Sequence, residues 1–153
     1  MACENITETQ NETTLKAAYD DLRKAAGIFG ALRVYIGKLQ LDGLTQDLED
    51  ETLSALENYC LAAAQFTALI VATKKELKAK LAAGSNSLLN DVVEADIPRS
   101  LRQDVSVKAS YMKSLSEFYQ SEVAGEKENA EHGERIARLR KCVEICEPIS
   151  KVM

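Results

Sequence analysis

The stretch that decides the fold is NYCLAAAQFTALIVAT, Asn58–Thr73, because its sixteen residues include no charged side chain. As a helix it would carry apolar groups in all directions, which is typical of a helix buried on most of its surface. Its alanines favour helix and let neighbouring helices approach closely. A membrane span needs about 18–20 apolar residues, and Asn58 and Gln65 interrupt this shorter run. We therefore predict the central helix of a soluble bundle.

An amphipathic pattern precedes this central stretch. Apolar residues recur at a spacing of three to four over Leu15–Leu39, and charged residues occupy the opposite side. This pattern predicts one long helix. Thr13 or Thr14 can cap its first amide groups, so we expect the helix to begin there. Gly43 marks a stop in the link that follows.

The downstream chain predicts further helices. The pattern leaves open whether the central helix continues through Lys74 or breaks there. Residues 96–98, Asp-Ile-Pro, disfavour helix and set a boundary, and an apolar stripe then runs over Leu101–Val123. A last helix is expected from about Asn129. Its inward-facing residues are predicted to be Ile136, Leu139, Val143 and Cys146.

These patterns predict an all-α protein, an antiparallel array of four to five long helices with short links. Residues 1–12 lack the apolar periodicity, and we predict a mobile N-terminal tail there. Residues 13–153 suit a single helical domain that is long enough to bury a core.

Charge and cysteine content exclude several functions. A net charge of −5 gives no reason to expect nucleic-acid binding, which usually needs a basic face. Polar and acidic residues open the chain, so we expect no secretory signal peptide. Four cysteines in such a chain are typical of reduced cytosolic thiols. We therefore expect a cytoplasmic location.

Cys142 and Cys146 lie one turn apart and could face one metal ion. A structural zinc site needs four ligands, and the one histidine, His132, lies ten residues upstream without a second cysteine pair. A single histidine without an orienting partner also makes a poor catalytic triad. We predict core thiols, no metal or cofactor, and no catalytic residue.

Four lysines follow the central stretch within seven residues, interleaved with two leucines. One interpretation is a solvated helix face. The other is a contact surface for an acidic partner helix or an anionic lipid, since Leu77 and Leu81 form an apolar ridge bordered by charge. The four lysines are Lys74, Lys75, Lys78 and Lys80.

Four segments of the chain resemble Alix-type BRO domains in order and spacing. They are KAAYDDLRKAAGIFGALRVYI (Lys16–Ile36), YCLAAAQ (Tyr59–Gln65), KAKLAAGSNSLL (Lys78–Leu89) and HGERIARLRKC (His132–Cys142). The resemblance runs from about residue 14 to residue 150 and matches the middle-to-late helical segment of a longer domain. It implies a tetratricopeptide-like core and docking onto an ESCRT-III-type subunit helix in endosomal sorting or membrane remodelling.

The resemblance also implies an apolar docking patch. In the family, one aromatic follows the AQ motif and two aliphatics surround the KLA motif. The matching positions here are Ala68 or Leu69, then Leu77 and Leu81. The two leucines fit this pattern, whereas neither Ala68 nor Leu69 is aromatic. The candidate partner-binding residues are therefore Leu69, Leu77, Leu81, Lys74 and Lys78.

Alternative functions stay open at this point. One is a tetratricopeptide-like adaptor or oligomerisation module without ESCRT-III binding. Another is a small-molecule carrier or enzyme, which the sequence disfavours because no convergent polar groups are evident. Val34, Tyr35 and Leu39 widen the first helix's apolar stripe beyond what one neighbour would cover, so we expect a homodimer or a stable hetero-complex. Endosome association and peripheral membrane contact complete these expectations.

Overall fold

The structure is a computed structural model that describes the backbone of residues 2–39, 41, 43–126 and 132–150. Side chains are described for residues 11–39, 41, 43–126 and 132–149. These ranges contain one short 3₁₀ turn, Gln46–Leu48, no strand, and five α-helices, which confirms the predicted all-α class. The helices are α1 Ala2–Leu39, α2 Asp50–Val71, α3 Lys75–Glu94, α4 Arg99–Gly125 and α5 His132–Ser150.

Each helix packs mainly on its neighbours along the chain, α1 on α2, α2 on α3, α3 on α4, and α4 on α5. The helices also form two layers. Cavities lie between α1 and α3 and between α3 and α5 on one side, and between α2 and α4 on the other. In the second layer, Lys108 of α4 donates a 2.6 Å hydrogen bond to the hydroxyl of Tyr59 on α2. The predicted antiparallel array is therefore confirmed.

The hydrophobic core lies where α2, α3 and α4 meet. Small residues of α2 allow a close approach of α3, and Ser85 Oγ donates a 3.1 Å hydrogen bond to the carbonyl of Ala62. The charge-free stretch therefore belongs to an inner helix, but the middle of the five described helices is α3, which packs on both α2 and α4. The buried apolar residues of this cluster are Ala55, Ala62, Leu89, Val92, Ala95, Ile97, Val105, Ala109 and Met112.

The helical backbone is interrupted between α2 and α3, which answers the question left open at Lys74. Ala72 and Lys74 both have extended backbone, with ψ of 135° and 127°. The amide of Ala72 still donates to the carbonyl of Ala68 at 2.9 Å and closes the last turn of α2. Glu76 lies in the first turn of α3, where a negative charge is favourable. The break folds α3 back along α2.

The ends of the array differ from the sequence-based expectations. The backbone of α1 begins at Ala2, so the predicted helix start near Thr13 is wrong. Once a helix is nucleated, each added residue gains one backbone hydrogen bond, which favours extension into a polar segment. The division into a tail over residues 1–12 and one domain over 13–153 stays a prediction.

The exposure of residues on α5 also differs from the sequence-based expectation. Ile136 and Val143 are 57% and 58% exposed, so the prediction that both point inward is wrong. The physical reason is that α5 packs mainly on α4 and can cover one narrow side only. Leu139 is half-buried, as expected for a residue on that side. Pro148 lies inside α5 rather than at its end.

Candidate functional site

An apolar groove lies between α1, the end of α2 and the beginning of α3. Its volume is about 340 Å³. We call it the α1–α3 groove. Its apolar lining comes from Leu15 and Tyr19 of α1, Ala68 and Val71 of α2, and Leu77 and Leu81 of α3.

The break over residues 72–74 places the two leucines of α3 in this groove. Because α3 begins at Lys75, its first turns run beside the last turns of α2. Leu77 and Leu81 are one turn apart and therefore point to the same side of α3. Leu77 is 46% exposed and Leu81 is half-buried. The predicted ridge therefore exists, and Leu77 is its most accessible part.

The structure distinguishes Ala68 from Leu69, the two alternatives for the third apolar position. Leu69 is only 5% exposed and lies in the interior, away from the groove. Ala68 is half-buried and lines the groove together with Leu77 and Leu81. Consecutive helical residues differ by roughly 100° in direction, and this rotation turns Leu69 toward the interior. The geometry brings Ala68, not Leu69, beside the two leucines. The assignment of partner binding to these positions stays a prediction.

Helix α1 supplies a wall of the groove that the list of candidate residues did not include. Leu15 and Tyr19 are half-buried there, and Lys16 lies at the same edge. Lys16 also forms a 2.7 Å ion pair with Glu12, one turn earlier. The apolar spacing of the first helix did indicate that Leu15 belongs to an apolar side, since Leu15 begins its stripe. What the pattern could not indicate was that the stripe also faces α3 across the groove.

The four lysines of the basic run point in different directions. Lys78 lies 5.4 Å from the ring centroid of Tyr119 on α4, on the side of α3 that packs against that helix. Lys75 forms ion pairs with Glu126 at 2.8 Å and Glu122 at 3.1 Å. Hydrogen bonds to Glu126 and Glu122 raise the pKa of Lys75. Lys74, by contrast, is exposed. The run is therefore not one continuous basic face, and neither Lys74 nor Lys78 lines the α1–α3 groove.

A polar cluster attaches α5 to α4. Glu117 of α4 is 9% exposed and pairs with Arg138 at 3.2 Å and Lys141 at 2.5 Å, both on α5. Burial alone would raise the pKa of Glu117, but the hydrogen bonds and charges of Lys141 and Arg138 outweigh burial and lower it. Gln120 also accepts a hydrogen bond from Arg138. The cluster is a structural attachment, and sequence reasoning missed it because its members are distant in the chain.

The cysteine pair is only partly internal. Cys142 is half-buried, whereas Cys146 is exposed, so the prediction of two core thiols is wrong for Cys146. The reason is again the outer position of α5. Burial, followed by the neighbouring Cys146 and Glu117, raises the pKa of Cys142. Burial also raises the pKa of Cys60 on α2. A raised thiol pKa disfavours the thiolate, which is the form that reacts and binds metal.

In the described ranges, no group of three or more histidine, cysteine, aspartate or glutamate side chains could hold a metal ion. His132, at the start of α5, is exposed. Among the helices described, none is long and apolar enough to cross a membrane.

The fold and the groove together define a class, that of helical modules with a surface suited to binding other proteins. Comparison with known families agrees with this class. The model of the BRO1-like domain matches residues 1–152. The chain therefore belongs to the BRO1-like domain family, as the four sequence segments had indicated.

A curated relative extends this comparison. The chain is 32% identical over 140 residues to the vacuolar protein-sorting protein bro-1 of Neurospora crassa. The match covers 84% of this chain and 13% of the relative. The chain thus corresponds to a small part of that protein's length. A comparison with solved structures gives no match.

Proposed function

We propose that this chain is a non-enzymatic interaction module that docks an amphipathic helix of an ESCRT-III-type subunit in endosomal sorting. The observation that carries the proposal is the α1–α3 groove, in which an exposed leucine, Leu77, lies beside Leu81 and Ala68. Membership of the BRO1-like family and the similarity to a vacuolar protein-sorting protein support it.

The groove has the form that a partner helix needs. Helix-in-groove binding uses apolar residues on one face of an amphipathic helix, which enter a groove between helices of the receptor. Here α1 and α3 provide two walls, and Ala68 and Val71 of α2 provide the floor. Burying one large apolar side chain is worth about 1.5–3 kcal/mol, so two or three such contacts contribute about 3–9 kcal/mol, and the upper part of this range, near 8 kcal/mol, corresponds to micromolar binding.

The small side chain of Ala68 determines how much space the floor of this groove offers to a partner. In the family, an aromatic residue follows the AQ motif, whereas this chain has Ala68 three residues after Gln65. A small residue at the floor leaves space that a larger side chain of the partner can fill. We therefore propose a partner helix with a bulky apolar residue opposite Ala68.

A lysine outside the groove lining can influence the charge of the partner. Lys16 lines the α1 side but is paired with Glu12, whereas Lys74 is exposed just before α3 begins. Lys74 favours an acidic residue on the nearby flank of the bound helix. We place the module in the cytoplasm, at the surface of endosomes, where exposed lysines such as Lys74 and Lys80 can also contact anionic lipid.

A second candidate function is an adaptor or oligomerisation module that lacks ESCRT-III binding. The specific observation in its favour is the absence of the family's aromatic residue at Ala68. The experiment below separates the two functions.

The test is the affinity of the purified chain for the amphipathic helix of an ESCRT-III-type subunit, measured by fluorescence anisotropy. Leu77→Asp should weaken binding about tenfold to a hundredfold, as expected for losing a buried leucine. The matched control is Ile136→Asp, since Ile136 is an apolar residue of α5, away from the groove, and is 57% exposed against 46% for Leu77.

The control should bind as the wild-type chain does. Circular dichroism should show unchanged helix content for both variants. Equal affinities of Leu77→Asp and the wild-type chain, or no binding tighter than about 1 mM, would favour the adaptor without ESCRT-III binding.

A further inference from the structure

A second apolar surface lies on the opposite layer, between α2 and α4. Two adjoining cavities of about 500 Å³ and 380 Å³ share Tyr59 and together form a long depression over α3. We call this depression the α2–α4 channel. Its main apolar lining residues are Leu56, Tyr59, Phe66, Leu89, Leu101 and Tyr111.

The channel is accessible along its length. Leu101 and Tyr111 on α4 are both exposed, although large apolar side chains are usually covered. Ile70 of α2 and Phe118 of α4 are exposed as well, and helical spacing from Phe66 and Tyr111 places each on the same stripe. Two parallel helices with facing apolar stripes leave a track that a third helix can occupy.

The charges of the channel are unevenly distributed. Asp47 and Asp96 line one end, and the guanidinium of Arg102 lies 4.0 Å from the carboxylate of Asp96. Lys108 lines the middle, where its ammonium group donates to Tyr59 at 2.6 Å and lies 5.1 Å from the ring centroid. Within the described ranges no carboxylate lies within ion-pair distance of Lys108. Tyr59 thus holds the ammonium group of Lys108 over the channel but does not neutralise its charge.

We propose that the α2–α4 channel binds an amphipathic helix of a partner protein that carries a basic residue opposite Asp47 and Asp96 and an acidic residue opposite Lys108. The argument is charge complementarity, which sets the direction of a partner more than its affinity. The positive N-terminal end of the bound helix also favours the carboxylate end, so the helix runs parallel to α2 and α4.

The spacing of the two partner residues follows from α4. Pro98, two positions after Asp96, and Lys108 are ten positions apart, or roughly 15 Å at 1.5 Å per residue. The basic and acidic residues of the partner are therefore about ten positions apart on one face of its helix. This site does not depend on the proposed function, because it lies on the layer opposite to the α1–α3 groove.

The test uses two synthetic helical peptides and the full chain. The first peptide, about 18 residues long, has a leucine ridge at helical spacing, a lysine near its N-terminus and a glutamate about ten positions later. The second peptide exchanges the lysine and the glutamate. We expect the first to bind the chain about tenfold more tightly in fluorescence anisotropy, as close charge pairs across an interface allow.

Variants of the chain locate the peptide. Lys108→Glu should weaken the first peptide about tenfold and strengthen the second, whereas the control Lys113→Glu, on an exposed part of α4, should change neither. Tyr111→Asp should abolish binding of both peptides. Leu77→Asp should have no effect here, which keeps this result separate from that for the α1–α3 groove.

Three outcomes would overturn the proposal. One is equal affinity for the two peptides. Another is loss of peptide binding in Leu77→Asp, which would place the peptide in the α1–α3 groove. The third is self-association of the chain that Tyr111→Asp abolishes, which would make a second copy the occupant of the channel.

Discussion

Arg138 of α5 donates a 3.2 Å hydrogen bond to the carboxylate of Glu117 on α4, across 21 positions of sequence. Glu117 is the acceptor that holds α5, since Lys141 pairs with its other oxygen at 2.5 Å. In the described part of α5, no side chain is fully buried. The polar cluster therefore contributes much of the attachment between these two helices.

Glu117→Gln should destabilise the attachment of α5. The substitution keeps the shape of the side chain but removes the charge that two cations share. We expect a loss of about 1–3 kcal/mol in the free energy of unfolding, as for hydrogen bonds to charged groups with little exposure. Urea unfolding followed by circular dichroism measures it. Glu144→Gln, at an exposed position of α5, should change stability by less than about 0.5 kcal/mol. Equal stability of the two variants would contradict a role of Glu117 in holding α5.

The same cluster predicts how stability depends on acid pH. The pKa of Glu117 is lower in the folded chain than its ordinary value, so folding favours the charged form. This contribution to stability is present above the ordinary glutamate pKa of about 4.3 and is lost as the pH falls through the lower, folded value. Thermal unfolding between pH 3 and pH 7 should show this loss. Glu117→Gln should reduce the slope, and an unchanged slope would show that other carboxylates dominate it.

Two leucines should respond very differently to truncation. Leu53 of α2 is 2% exposed, whereas Leu77 lies at the surface of the α1–α3 groove. Leu53→Ala should cost about 2–5 kcal/mol, because it removes buried methyl groups and leaves a cavity. Leu77→Ala should cost less than about 1 kcal/mol, because that side chain is nearly half exposed. Chemical denaturation compares them directly. A large cost at Leu77 would identify it as a core residue and remove it from the candidate binding surface.

The outward face of α1 should promote self-association. Ile28, Val34, Tyr35 and Leu39 are all exposed there, as the sequence pattern indicated for the last three. Contiguous apolar patches usually mark interaction sites on folded proteins. We expect sedimentation velocity to show a concentration-dependent dimer that Tyr35→Glu weakens. The wild-type chain remaining monomeric at tens of micromolar would contradict this prediction.

Thiol reactivity should follow exposure. In a Cys3→Ser background, the exposed Cys146 should react quickly with a thiol reagent. The half-buried Cys60 and Cys142, whose pKa values are raised by burial, should react slowly. Cys146→Ser should remove the fast phase alone. A fast phase that persists in this variant would mean that α5 leaves α4 often enough to expose Cys142.

Much of the fold could be predicted because its signals are local. The charge-free stretch predicted a helix that contributes to the core at α2, and the i, i+4 spacing predicted that Leu77 and Leu81 share a side. Both are properties of one helix by itself. The choice between Ala68 and Leu69 depends instead on how α2 is rotated against its neighbours, which periodicity does not fix.

The remaining errors concern relationships between helices. Ile136 and Val143 fit an inward stripe, yet α5 packs mainly on one neighbour and leaves both exposed. Glu117 lies between the stripe residues Leu115 and Tyr119 in sequence but on a different side of α4, where its cationic partners come from α5. A sequence pattern shows that a charge is present but not which distant residue meets it. The sequence pattern did not predict the α2–α4 channel for the same reason, because Tyr59 and Lys108 meet there but are 49 positions apart.

The nearest-neighbour packing of the helices has a consequence for the order in which the chain folds. Contacts between consecutive helices close short loops, so contact order is low and folding is expected to be fast. Helices α1 and α5, each with one main neighbour, should lose their amide protection first, as in linear repeat proteins. The inner helices α2, α3 and α4 would then remain as the last cooperative unit. One wall of the α1–α3 groove can therefore open and close while the floor that carries Ala68 stays folded.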